Sequence, residues 1–257
     1  MRIDAHVHCT DPAALLTGML DKLGLDKAVV CSSGVARGET IKTLEDAKAA
    51  MGGIARAQSA GGVRSVSQVN RALAEVVNGN GERCIGFAKL DLFSPTLRQD
   101  AEEAVSLGFA GFGEIIGIHG NADKVDSVLS LADDAGLPVF IHCDYPVDAA
   151  DLGALFQMIR RYARAKVVVG HMGGDFYLDA LEQAAGLQNA YVDTSEVVNQ
   201  VALQVAASTM PERLLYASDF PFDCAESMLC RIDCLALDAA VKERVMGLNA
   251  LELLDLS

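Results

Sequence analysis

The first apolar run of the chain, RIDAHVHC (residues 2–9), ends in two histidines one residue apart, in a protein with five histidines among 257 residues. Side chains alternate between the two faces of a β-strand, so residues i and i+2 point the same way. His6 and His8 therefore project together, with Val7 and Cys9 on the other face. Two imidazoles on one face, just after Asp4, make half of a metal site if the rest of the chain supplies the other half.

Seven further runs follow: KAVVCSS (27–33), RCIGFAKLD (83–91), GFGEIIGI (111–118), LPVFIHC (137–143), KVVVGHM (166–172), NAYVDTS (189–195) and RLLYASDF (213–220). Most are almost continuously apolar, as parallel strands buried on both faces should be. The segments between them read as helices. DPAALLTGMLDKLG stops at Gly24, and KVDSVLSLADDAG stops at Gly136. TLRQDAEEAVSLG follows Ser94-Pro95, a good N-cap and N1 pair, and stops at Gly108. AADLGALFQMIRRYA and FYLDALEQAAG fill the next two gaps, and AVKERVMGLNALELLDL reads as an amphipathic closing helix. Eight βα units predict a (β/α)8 TIM barrel, because right-handed crossovers let such a sheet close on itself. The whole of 1–257 reads as one domain. Residues 34–82, between strands two and three, are rich in Gly, Ala and Ser and include MGGIARAQSAGG (51–62). They read as a helical excursion with a mobile segment, a candidate lid.

Hydrophobic residues at 51% and charged residues at 22% provide a large core and argue against disorder. No apolar run approaches the ~18 residues needed to span a bilayer, and no cationic, apolar leader opens the sequence. The cytoplasm is the expected location. A net charge of -14 without a basic block repels polyanions. Nucleic acid and anionic membranes are therefore poor partners, a small-molecule substrate is the better one, and a homo-oligomer is compatible with this reading. The seven cysteines form no CxxC pair and read as small buried hydrophobes. The spacing of Cys224, Cys230 and Cys234 fits one helix better than a metal cluster.

In a TIM barrel the active site forms at the C-terminal ends of the strands. His6 and His8 end strand one, Glu114 lies in strand four, and His119 follows it. His142, His171 and Asp219 end strands five, six and eight. A lone histidine among apolar residues is usually a satisfied core residue. All five histidines on one rim, together with carboxylates, are what a hydrolytic Zn2+ site requires.

The motifs IDAHVHC, PVFIHC, VVVGHMGG, YVDTS, YASDFPF and NALELL, in this order, resemble the metal-dependent TIM-barrel hydrolases of the amidohydrolase superfamily. Within it they are most similar to the amidohydrolase-2 branch, related to aminocarboxymuconate-semialdehyde decarboxylase. The resemblance implies that His6, His8, His142 and Asp219 are metal ligands. It further implies that His171 orients or deprotonates a metal-bound water in one-metal members and binds the second ion in two-metal members. The branch contains both hydrolases and non-oxidative decarboxylases.

The residues support these roles chemically. Zn2+ lowers the pKa of bound water to roughly 7, Asp219 can accept and deliver a proton, and His171 can hydrogen-bond the resulting hydroxide or a developing oxyanion. Gly173-Gly174 is either a close backbone approach to a ligand or a plain turn. Glu114 departs from the one-metal pattern and resembles the strand-four glutamate of TatD-like hydrolases. Buried in an apolar strand, it needs a metal, a histidine or a base, and metal ligation is the expectation taken forward. His119 is the candidate substrate contact; Asp144, Asp175 and Ser195 are rim residues that loop composition explains equally well. No arginine cluster marks a carboxylate clamp.

The expected cofactor is Zn2+, one or two ions, with another divalent transition metal as the alternative. The leading expectation is a hydrolase that uses metal-activated water on an amide, lactone or ester. The alternative is a metal-dependent non-oxidative decarboxylase of an aromatic or unsaturated acid. A TatD-like nuclease ranks third, disfavoured by the acidic surface, and a silent metal-binding barrel is the reading from outside the enzyme class.

Overall fold

The computed structural model describes residues 1–10, 13–32, 41–49 and 65–256. Eight parallel strands run in the order β1 to β8: β1 (Ile3–His8), β2 (Lys27–Cys31), β3 (Cys84–Ala88), β4 (Gly111–Ile115), β5 (Val139–Ile141), β6 (Val167–Val169), β7 (Ala190–Asp193) and β8 (Leu214–Leu215). The ring closes between β1 and the segment around β8. Ala5 N donates to Tyr216 O at 2.8 Å, His8 N donates to Phe220 O at 2.7 Å, and Val7 bridges Phe220. With helices between the strands, this is the expected (β/α)8 TIM barrel.

Strand parity sorts the core into two layers. Val30, Phe112, Val139, Ile141, Val167 and Val169 face outward and pack with the helices. Ile3, Ala5, Val29, Cys31, Phe87, Phe140, Val168, Tyr191 and Leu215 fill the interior, and Ala250 and Leu253 of the closing helical segment join them. Phe140 is the large interior residue beneath the site. It fits because Gly170 leaves its ring free and Gly113 leaves room for its Cβ and backbone; a Cβ at either position would lie within 2.7 Å of Phe140. The His6 ring rests on it, with centroids 4.1 Å apart.

The helical expectations hold with instructive departures. Gly24 and Gly136 end Ala14–Leu23 and Val125–Ala135 in the left-handed conformation, with φ of 62° and 68°. The helix after Ser94-Pro95 starts later than the sequence suggests, at Leu97. Ser94 Oγ donates to Asp100 Oδ2 at 2.9 Å and so closes the preceding turn instead of capping at its own position. The closing helix is interrupted, with Ala239–Glu243 and Asn249–Leu253 separated by a π-turn at Arg244–Leu248. The turn lets Val245 O accept from Tyr216 N at 2.9 Å, satisfying a donor just past the short β8.

Between β2 and β3, residues 44–49 and Val66–Gly79 are helical, the latter opened by a Ser65–Gln68 capping box. The candidate lid with MGGIARAQSAGG lies outside the described residues. Cys31, Cys84 and Cys143 are buried as expected, whereas Cys224, Cys230 and Cys234 are exposed on and beside the helix Ala225–Asp233. Among the described residues no helix is long and apolar enough to cross a membrane.

Candidate metal centre

Two strand irregularities aim the donor side chains. Ile3 and Ala5 face the interior and Val7 faces outward, so strict alternation would turn His6 and His8 outward with Asp4. The pairing of β1 with β2 shifts register between Asp4 and Val7, and past that point His6 and His8 share the interior. β4 does the same, with a shift between Phe112 and Ile115 that spans Glu114. Irregularities of this kind commonly re-aim side chains beside active sites. At the other rim positions the backbone bends sharply, with His171 at φ 52° and Asp219 at φ 57°. Such left-handed conformations cost a non-glycine residue about 1–3 kcal/mol and persist where the surroundings enforce them.

The ligand atoms of His6, His8 and Asp219 all lie within 4.8 Å of one another. His8 Nε2 is 3.0 Å and His6 Nε2 3.7 Å from Asp219 Oδ1, and Glu114 Oε2 is 3.8 Å from His8 Nε2. Two ligand atoms at about 2.1 Å from one tetrahedral ion would be about 3.4 Å apart, so these separations suit a shared cation. His6 Nε2 and Asp219 Oδ1 are buried without a hydrogen-bond partner. The His8 contact at 3.0 Å brings opposite charges together when the ring is protonated. Buried polar atoms rarely remain unpaired. A divalent cation among these atoms would satisfy both orphans, and the donor set fits one.

Behind this triad lies a relay of hydrogen bonds. Glu114 Oε1 is 2.8 Å from His142 Nδ1 and 3.2 Å from His171 Nε2. On its other side, His171 Nδ1 lies 2.9 Å from Ser195 Oγ, which donates to Asp193 Oδ2 at 2.7 Å, while Asp193 Oδ1 accepts from the backbone N of His171. Burial alone would favour neutral groups here, but the opposite charges reverse it. Glu114 stays well below the usual carboxylate range through the charge and hydrogen bond of His142 and the hydrogen bond of His171. Asp219 is also lowered, by His6 and His8. His171 rises well above the usual histidine range through Glu114, Asp219 and Asp193. In the free protein, then, protons occupy places that a cation would take.

The structure brings together His6, His8, Glu114, His171 and Asp219. His142 reaches them through Glu114 and His171, and its Nε2 faces Tyr145 O at 3.3 Å, so it is not one of the triad. His119 is half-exposed and bonded to Asp151 at 2.7 Å, in a separate group with Asp148. Gly174 packs against the chain itself, since a Cβ there would collide with the Asp144 carboxylate. Sequence reasoning missed Glu196, whose carboxylate groups with His171 and Asp219, and Asp193, which anchors His171. It also missed Asp4, whose Oδ1 accepts from the backbone N of His6 and Ser218 and whose carboxyl burial pushes up to about 7. Glu196 lies in a loop past a strand end, a signal shared with many solvated residues. Asp4 and Asp193 lie buried within β1 and β7 and carry the same signal as Glu114, an acid in an apolar run.

A barrel with histidine and carboxylate donors gathered at the strand ends defines a metal-dependent TIM-barrel enzyme. Residues 3–256 match the amidohydrolase family, and the chain belongs to it. No curated protein sequence matches the chain. Among solved structures, a 2,6-dihydroxybenzoate decarboxylase from Rhizobium is similar at a TM-score of 0.69 and 14% identity, over 99% of this chain and 98% of that one. A dihydroxybenzoic acid decarboxylase from Polaromonas, with bound manganese and the inhibitor 2-nitroresorcinol, gives 0.71 and 15%, over 99% and 97%. A 5-carboxyvanillate decarboxylase from Sphingomonas paucimobilis gives 0.66 and 19%, over 93% and 82%. At these identities the likeness is one of fold.

Proposed function

We propose that this single-domain chain is a divalent-metal-dependent decarboxylase that removes a carboxyl group, without oxidation, from an aromatic or unsaturated small-molecule acid. The observation that carries the reading is the pairing of the donor triad with an exposed aromatic wall. Phe222 stands edge-on to His8 with centroids 4.9 Å apart and keeps 36% of its surface exposed, so an aromatic ring can lie against it beside the triad. Decarboxylases recur among the similar structures, beside one named only as an amidohydrolase, and support the same reading over hydrolysis.

In this reading His6, His8 and Asp219 hold the cation, with Glu114 Oε2 on the His8 side and His142 held against Glu114. When bound, the cation supplies a Lewis acid that grips the substrate carboxylate or a neighbouring oxygen; Zn2+ and Mn2+ both suit nitrogen and oxygen donors. Asp219, ionised in the free protein, would hold the cation through one oxygen and take up a proton from solvent on the other as the anionic substrate enters. The carbon–carboxyl bond breaks, CO2 leaves, the electron pair stays on the ring carbon, and Asp219 delivers its proton there. His171, fixed through Nδ1 by Ser195, keeps Nε2 facing the same space. His119 lies further out, as a contact for a distal substrate group.

The test is a panel of hydroxybenzoates and unsaturated acids offered to the metal-loaded protein in D2O. Release of CO2 with one deuterium at the vacated carbon is expected. Turnover of amides, lactones or esters with no CO2 from any acid would replace this reading with hydrolysis. That second reading is favoured by the ionised, unpartnered oxygen of Asp219, which could instead take a proton from water.

A further inference from the structure

Lysine heads usually reach water, and a lysine turned toward the inside of a barrel needs something to bind. β3 leads to such a residue. Ile85 and Phe87 pack in the interior layer, whereas Cys84, Ala88 and Leu90 pack outward with the helices. Alternation therefore carries Lys89 to the interior face, one step past Phe87 and toward the mouth. The backbone keeps that alternation beyond the end of the strand. Buried Asn70 pairs with Lys89 in both directions: its Nδ2 donates to Lys89 O at 2.9 Å, and its Oδ1 accepts from Lys89 N at 2.8 Å. Pairing with β2 ends at Val30 opposite Gly86, so the Asn70 side chain stands in for the missing strand partner.

Lys89 is half-buried, and among the described residues its ammonium has no ion pair or hydrogen bond. Glu114, on neighbouring β4, is taken by His8, His142 and His171. In the loops that leave β1 and β3–β8, Lys89 is the only lysine or arginine among the described residues. A mouth otherwise lined with carboxylates, in a chain of net charge -14, thus keeps one fixed positive charge free.

Resting on the reading of this centre as one that removes a carboxyl group, we infer that Lys89 binds a second carboxylate of the substrate, which is therefore an aromatic or unsaturated dicarboxylic acid. The carboxyl that leaves lies at the His6–His8–Asp219 triad, and the one that stays lies against Lys89. β3 is two strands round the ring from β1, roughly 10 Å along the wall, a span that the long lysine stem and a carboxyl-bearing ring close together. Phe222 beside His8 supports that ring at the triad end. An arginine cluster is not required. A guanidinium grips a carboxylate through two bonds, whereas a lysine is a point charge, sufficient to orient one end of a substrate held at the other.

Two probes, benzoate and benzene-1,3-dicarboxylate, titrated calorimetrically into the Mn2+-loaded protein decide it without turnover. The dicarboxylate should bind roughly 10–100-fold tighter than benzoate, the scale of one charge-assisted hydrogen bond. Lys89→Met, close in shape and without the charge, should bring the two affinities together, and Lys89→Arg should keep them apart. No preference in the unaltered protein overturns the inference. A preference that survives Lys89→Met overturns it too, even if both probes weaken, because the ammonium then serves the reacting carboxyl or none. The decarboxylase reading is separable. A protein that shows the preference but releases CO2 from no acid keeps Lys89 as a carboxylate contact and loses that reading.

Discussion

Burial would favour a neutral His8, yet the contact with Asp219 at 3.0 Å and the charge of Glu114 push its pKa up to about 9. A histidine raised from 6.5 contributes stability that is fully present below pH 6.5 and is lost as the pH rises through about 9. The metal-free protein should therefore lose thermal stability across that window, while affinity for Mn2+ or Zn2+ rises as His8 gives up its proton; a Tm series and titrations at matched pH values check both signs. Ser195 offers a second test, because it holds His171 Nδ1 while leaving the Asp193 bond to the His171 backbone intact. Ser195→Ala should fold normally and lose roughly 10–100-fold in activity or metal affinity, the usual effect of removing a group that orients a ligand. His6, His8, Glu114, His171 and Asp219 were legible in the sequence because a chemical side chain interrupts an apolar run. Glu196 was not, since it follows a rim serine in a loop where acids are ordinary, and only the bend at its own φ brings it to His171.

At the scale of elements, the strand count and order could be read from eight apolar runs separated by amphipathic segments, but the irregularities could not. Alternation correctly puts His6 and His8 on one face, yet which face depends on the register shift between Asp4 and Val7, a property of pairing with β2 that β1 alone does not carry. The π-turn is similar: AVKERVMGLNALELLDL has continuous helical periodicity, and the interruption comes from Tyr216 N needing the Val245 carbonyl. Gly247 in that turn lies against the Met1 carbonyl, where a Cβ would collide with backbone. Gly247→Ala should destabilise the protein by about 1–3 kcal/mol, the range for overpacking, with the metal donors unaffected; denaturant unfolding measures it. Asp148 caps the helix Ala149–Arg161 through Ala150 and Asp151, and Asp148→Ala should cost about 1 kcal/mol.

Over the whole molecule, cation binding should couple to global stability, because the donors come from four different strand ends and meet only in the folded barrel. An ion present at about 1,000 times its Kd adds roughly 4 kcal/mol. For a chain of this size that corresponds to about 8–16 °C in Tm. Dialysis against a chelator should lower the calorimetric Tm by that order, and Mn2+ should restore it; an unchanged Tm would mean that the donors are not linked through an ion. The closure of β1 on the segment after β8, through Val7 and Phe220, carries a further consequence for how the protein is made. His6 and His8 leave the ribosome roughly 10–40 s before Asp219, at ordinary rates of synthesis. A nascent chain thus displays both imidazoles, and later Glu114, before Asp219 exists to complete the triad with His6 and His8. Completion of that triad therefore coincides with the closure of β1 on the last strand and marks a finished barrel.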